Sequence, residues 1–166
     1  MKPAQPTLFR LAGLVTFFIC ALLLGYAYWL QHVQLLDPCP LCILQRVAFV
    51  FIGAVSLIAA IHNPKPVGRT AYAITIASGG LVGAAIAARH IYLQHLPPDQ
   101  VPECGPGLEY MLAHMPWSDA LAKILSGSGE CAEVSWTFLT LSMPWWTLFW
   151  FVSLGALMVA ASRLRS

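Results

Sequence analysis

The residues able to do chemistry in this chain are its cysteines. There are five, and Cys39, Cys42, Cys104 and Cys131 occupy positions where sulfur can react. Cys39-Pro40-Leu41-Cys42 is a C-x-x-C motif, and thiols this close interconvert between dithiol and disulfide. Pro40 suits the first position of a helix, which puts Cys42 in the first turn. There the partial positive charge of the helix N-terminus favours a thiolate. Arg46 follows four residues later on the same helical face and adds a fixed positive charge. A thiolate beside a fixed cation is a reactive arrangement. The plainer use of the same pair is an inert disulfide tying the preceding loop to the helix.

Cys104 and Cys131 form the second pair. A bridge between them would remove roughly 3–4 kcal/mol of unfolded-chain entropy in the simple loop model, a purely structural benefit. Yet Cys104 lies between Glu103 and Gly105, with Pro102 and Pro106 outside them. Such a segment is extended, exposed and open to attack by a partner's thiolate. Cys131 follows Gly127-Ser128-Gly129, which reads as a flexible link, so a mobile redox pair is expected. Sequence alone does not choose among the disulfide connectivities. The spacing favours Cys39–Cys42 with Cys104–Cys131 at rest. Cys20 lies in an apolar run and reads as a small packing residue.

The elements that position these sulfurs follow from composition. The chain has 166 residues, of which 58% are hydrophobic and 10% charged. Soluble domains average about 45–50% apolar and about 25% charged residues, so much of this surface must face lipid. Four stretches, Leu11–Leu30, Ile43–His62, Thr70–Ala88 and Pro144–Ala161, each approach the ~20 residues that cross a bilayer core. Lipid offers no partner to an open backbone, so they are expected to be helices. Arg46 is the one charge inside them, near the start of the second. Lys2 and Arg10 before the first stretch resemble a signal-peptide n-region. The stretch is too long for an h-region and ends in Tyr26, Tyr28 and Trp29, as a retained anchor does.

Charge sets the orientation. Lys2, Arg10, Lys65, Arg69, Arg163 and Arg165 fall on one side of the four spans, which the positive-inside rule makes cytoplasmic. Asp37, Asp99, Glu103, Glu109, Asp119, Glu130 and Glu133 fall on the other. The expected fold is an all-α membrane protein over residues 1–166: a four-helix transmembrane bundle with both termini cytoplasmic. A short loop, about 31–42, and a long loop, about 90–143, face outwards, where disulfides persist. Leu108, Met111, Leu112, Met115, Leu121, Ile124 and Leu125 predict one or two short amphipathic helices in the long loop, on the membrane surface or packed on the bundle. Gly79, Gly80, Gly83 and Ala84 predict a close helix contact without naming the partner helix.

Several segments together resemble the disulfide bond formation protein B family, DsbB. They are the outer C-x-x-C leading into the second helix, the run Cys42-Ile43-Leu44-Gln45-Arg46, and Ser128-Gly129-Glu130-Cys131-Ala132-Glu133. Trp136, Phe138, Met143, Pro144 and Trp146 fit as well. Members often carry an acid where this chain has Gln45. The resemblance implies a quinone-dependent thiol:disulfide oxidoreductase of the bacterial inner membrane, with its active cysteines on the periplasmic side. It implies a periplasmic thioredoxin-fold partner of the DsbA type, met at Cys104. Cys131 and Cys39 would then exchange, and Cys42 would pass electrons to ubiquinone or menaquinone. Arg46 would stabilise charge developing on a quinone oxygen, and His90 is a candidate further donor to the quinone. Arg89 and His95 read as surface groups.

A vitamin K epoxide reductase-like thiol and quinone enzyme is the alternative, although its membrane C-x-x-C begins a late helix. A non-enzymatic membrane protein binding zinc or copper through Cys39, Cys42, His90 or His95, and Cys104 is another, as is a passive structural protein. The expectation is no resident metal and no nucleic-acid partner.

Overall fold

The computed structural model describes residues 8–102 and 108–164; Cys104 lies outside them. Four helices are long and apolar enough to cross a membrane: α1 (Leu8–Val33), α2 (Pro40–His62), α3 (Pro66–Gln94) and α7 (Met143–Arg163). Between α3 and α7 come α4 (Leu108–His114), α5 (Trp117–Ser126), α6 (Gly129–Ala132) and the two-residue strands β1 (Thr137–Phe138) and β2 (Leu141–Ser142). The fold is the expected all-α membrane bundle.

Leu22, Ile61, Val67, Ile74 and Leu81 are exposed on the outside of the bundle, where a hydrocarbon solvent makes such exposure favourable. Inside, Phe9, Cys20, Phe49, Ile52, Ile76, Phe151, Leu154 and Met158 form one buried cluster. The Phe49 and Phe151 rings stack at 4.1 Å. The small residues of α3 meet α7. A Cβ on Gly80 would lie 2.9 Å from the Phe151 carbonyl oxygen, and one on Gly83 2.6 Å from the Phe151 ring. Close backbone approach is how helices associate where lipid removes the hydrophobic drive.

α3 extends beyond the Thr70–Ala88 stretch that hydropathy marks. Its 29 residues span about 43 Å at ~1.5 Å per residue, longer than a bilayer core of about 30 Å. The turns beyond Ala88 carry His90 and Leu93, which are buried, Leu93 against Cys39, Leu41 and Cys131. Packing there keeps the helix going where Arg89 and His90 made the sequence look like its end.

The long loop is built onto this extension. α5 buries Ala120 and Ile124, which cluster with Met111 and contact Leu44 of α2. Arg89 is a surface group that also serves as a clasp: its Nη2 donates to the Ser126 carbonyl at 3.0 Å and its Nε to that of Leu125 at 3.5 Å. A cation on the last carbonyls of a helix also complements the helix dipole. Gly127 ends α5 at φ 84° and is buried. A Cβ there would run into Leu93 Cδ1. The segment read as a flexible link is thus a point of close approach to α3.

β1 and β2 pair antiparallel, Thr137 with Ser142 and Phe138 with Leu141. Leu139 (φ 50°) and Thr140 (φ 66°) make the turn, the left-handed geometry of a type I′ hairpin. Ser142 is the N-cap residue of α7, and its hydroxyl donates to Gln94 Oε1 at 2.6 Å. The hairpin is therefore fixed to the C-terminal end of α3.

Candidate redox site

Cys39 is the N-cap residue of α2, with Pro40 opening the helix, so Cys42 sits in the first turn. Cys39 Sγ donates to Cys42 Sγ at 3.2 Å. A disulfide would need about 2.05 Å. Spacing favours that bond at rest, and the two sulfurs lie near enough to form it with a shift of about an ångström. Cys39 and Cys131 are 7% and 0% exposed and form a cluster with Leu41 and Leu93. α6 brings Cys131 there, its Sγ 3.8 Å from the Ser128 hydroxyl. Contact with Cys39, and then burial, push the Cys131 thiol well above its ordinary pKa. Cys39 thus stands between two sulfurs, one on its own helix and one on the long loop. Cys20 is buried in the bundle core, away from this group, as a packing residue is.

His90 is 3% exposed. Its Nε2 lies 3.8 Å from Cys39 Sγ and its Nδ1 3.3 Å from Gln45 Nε2. Gln45, also buried, accepts from the Thr147 hydroxyl of α7 at Oε1. With Gln45 Oε1 occupied, its amide N–H faces Nδ1. That sets His90 as the tautomer with Nε2–H towards Cys39. The Gln45 amide therefore joins α2, α3 and α7 without adding charge.

Arg46 reaches across to α1. Its Nη1 donates to Gln31 Oε1, its Nη2 donates to the Ala27 carbonyl at 3.2 Å, and its guanidinium lies 5.2 Å from the centre of the Tyr28 ring. These partners satisfy an arginine at the membrane boundary, where a bare charge would be costly.

Two cavities meet at Cys42. The first, ≈ 190 Å³, is walled by Leu23, Tyr26, Phe49, Trp136, Trp146 and Trp150, with Cys42, Gln45, Arg46 and Thr147 as its polar or reactive members. The hairpin helps to build its wall: Trp146 Nε1 donates to the Phe138 carbonyl at 3.2 Å, and Trp136 meets Tyr26 edge-on at 6.0 Å. The second, ≈ 70 Å³, lies on the loop side and includes Asp37, Cys39, Cys42, Arg46, His90, Glu130 and Glu133. His90 lines this second cavity and not the first.

The structure thus gathers Cys39, Cys42, Cys131 and His90, with Arg46 beside Cys42 across the cavities. Gln45, Thr147, Gln31 and Tyr26 were not singled out from sequence as site residues. A buried amide inside an apolar span was a signal for Gln45. Gln31 and Tyr26 carried none, because only the crossing of α1 and α2 makes them neighbours. His95 Nδ1 contacts its own helix's Ile91 carbonyl at 2.8 Å, apart from the sulfurs.

Similarity to known proteins covers most of the chain. Residues 9–161 match the family model described as Disulfide bond formation protein DsbB. The chain is 55% identical to Disulfide bond formation protein B of Hahella chejuensis over 144 residues, 84% of this chain and 87% of that protein. To the protein of that name from Nitrosococcus oceani it is 52% identical over 141 residues, 85% of this chain and 83% of the relative. To that from Saccharophagus degradans it is 46% identical over 159 residues, 96% of each. With that match running from the first membrane helix to the last, the chain belongs to the DsbB family of disulfide bond formation proteins, membrane oxidoreductases that act on disulfides.

Proposed function

We propose that this chain reoxidises a periplasmic thioredoxin-fold dithiol protein of the DsbA type and delivers the electrons to membrane quinone. The observation that carries the reading is the apolar cavity of ≈ 190 Å³ with Cys42 and Arg46 in its wall. A flat, largely apolar ring with polar oxygens suits aromatic walls and a few convergent donors. The residues present therefore fit a quinone, ubiquinone or menaquinone. When bound, a quinone supplies an acceptor for two electrons and two protons.

The chain's own sulfurs do the rest by thiol–disulfide exchange. The partner's thiolate attacks Cys104, and the bond to Cys131 breaks with its electron pair leaving on Cys131. Cys131 attacks Cys39, and Cys42 leaves as a thiolate in the cavity wall. The partner's second thiol displaces Cys104 and completes the partner's disulfide. Cys104 then attacks Cys131, restoring that bridge and releasing Cys39. Two electrons and two protons now reside on Cys39 and Cys42, and their reoxidation to a disulfide closes the cycle. The position of Cys39, in contact with both Cys42 and Cys131, supports this order.

Arg46 faces the place where negative charge develops. A guanidinium has five N–H donors, and its bonds to Gln31 and Ala27 leave others for a quinone oxygen. His90 contributes from the sulfur side, through Cys39. The active face is periplasmic and the membrane is the bacterial inner membrane, with both termini cytoplasmic.

Purified protein mixed with a reduced DsbA-type partner and a soluble quinone tests this directly. Partner oxidation and quinone reduction are expected to proceed together, and Cys104→Ser to abolish both. Arg46→Ala is expected to slow quinone reduction by about tenfold or more, the loss of one charge-stabilising donor, while the first exchange at Cys104 keeps its rate. Wild-type turnover by Cys104→Ser would sink the mechanism; equal slowing of both steps would make Arg46 a folding residue.

A further inference from the structure

The dithiol site has a second capacity that its redox reading does not require. Cys39 Sγ, Cys42 Sγ and the nearest His90 ring nitrogen all lie within 4.8 Å of one another. Around tetrahedral zinc, with bonds of about 2.3 Å to sulfur and about 2.0–2.1 Å to nitrogen, such atoms stand about 3.5–3.8 Å apart. The separations here are 3.2 Å between the sulfurs and 3.8 Å from Cys39 Sγ to His90 Nε2. Shifts of a few tenths of an ångström to about an ångström would bring these ligand atoms into that geometry.

The surroundings suit a cation as well. All three groups line the loop-side cavity of ≈ 70 Å³, together with Asp37, Glu130 and Glu133 against the single positive charge of Arg46. A cleft of net negative charge concentrates cations from water. His90 also has the supporting contact that zinc-binding histidines need on the other ring nitrogen. When Nε2 binds metal, its proton must sit on Nδ1. Gln45 can then turn its amide so that Oε1 accepts a hydrogen bond from Nδ1–H. Thr147 accommodates the turn, because its hydroxyl has a second acceptor in the Pro144 carbonyl at 3.0 Å.

We propose that the reduced site binds one zinc(II) ion through Cys39 Sγ, Cys42 Sγ and His90 Nε2, with a water from the loop-side cavity in the fourth position. Two thiol protons leave to solvent, two Zn–S bonds and one Zn–N bond form, and no electrons move. The oxidised pair has no thiolate to offer, so the site exists only in the form that turnover generates. Zinc holds both sulfurs that must rejoin as a disulfide, which makes it an inhibitor specific to the reduced protein. That inhibition rests on the quinone reading; the binding does not.

Full-length protein is reduced, stripped with chelator, desalted without oxygen in detergent, and titrated with zinc(II). One ion per chain is expected, with affinity at least about 100-fold lower after Cys39 and Cys42 are oxidised. His90→Ala is expected to weaken it by at least about 10–100-fold, the loss known even for supporting contacts. Equal affinity in the oxidised protein, or wild-type affinity in His90→Ala, overturns the site. Should His90→Ala fail to fold, cobalt(II) in the wild-type protein decides. Intense tetrahedral bands with two-thiolate charge transfer support the site, and a weak octahedral spectrum overturns it. Partner oxidation measured separately in chelator keeps the two questions apart: its failure with zinc binding intact would remove the electron-transfer reading and leave the metal site.

Discussion

Among Cys39, Cys42 and Cys131, burial and neighbours create a division that spacing could not. Cys131 is fully buried beside Cys39, and that contact together with burial raises its pKa. A raised thiol pKa means a protonated sulfur at neutral pH, slow towards reagents in solution, whereas disulfide exchange releases Cys131 already as a thiolate. In the reduced protein, alkylation of Cys131 should therefore keep climbing as pH rises from 7 to 10. An ordinary thiol is half ionised at about pH 8.5 and levels off about one pH unit higher. Mass spectrometry of Cys131 peptides after short iodoacetamide pulses measures this; half-maximal labelling at about pH 8.5 with a plateau by about pH 10 would mean that the contact with Cys39 is not held in solution. The motif Cys39–Cys42 and the cation at Arg46 were legible in the sequence because their spacing is local. The role of Gln45 was not, because its partners His90 and Thr147 lie on other helices.

Gly127 is the element-scale counterpart of those contacts. Its φ of 84° and its approach to Leu93 set where α5 ends and where α6 carries Cys131. Any side chain there meets two penalties: a backbone of φ 84° and ψ 162°, a region open essentially to glycine alone and worth about 1–3 kcal/mol, and a collision with a buried leucine. Gly127→Ala is expected to destabilise the α5–α6 segment by about 2–4 kcal/mol and to separate Cys131 from Cys39. The reduced protein should then show faster hydrogen exchange over 128–132, with α1, α2 and α7 unchanged. Unaltered exchange in that segment would mean that the loop adjusts freely around the methyl group. From sequence, Gly-Ser-Gly signals flexibility. Only the position of Leu93, one turn beyond where hydropathy ends α3, turns it into a packing constraint.

At the scale of the whole molecule, four apolar runs among few charges were enough to give an all-α membrane bundle, because lipid leaves the backbone no alternative. The small-residue face of α3 was legible too, but that it meets α7 through Phe151 required three-dimensional packing. Least legible was the pair of cavities, since each is assembled from three or more elements. Cys42 and Arg46 belong to the walls of both, one largely apolar, the other rimmed with carboxylates. A single sulfur is thereby reachable from two solvents, and its poisons should obey two dosing laws. An electrophile dissolved in the bilayer is governed by its mole fraction in lipid, so tenfold more liposome lipid should cost it roughly tenfold in apparent potency once it is mostly partitioned. A small hydrophilic thiol reagent should keep its potency over the same lipid series. Inactivation rates of the reconstituted protein, read across that series with adduct mapping at Cys42, distinguish the two; identical lipid dependence for both reagents would mean that only one route to the sulfur is open.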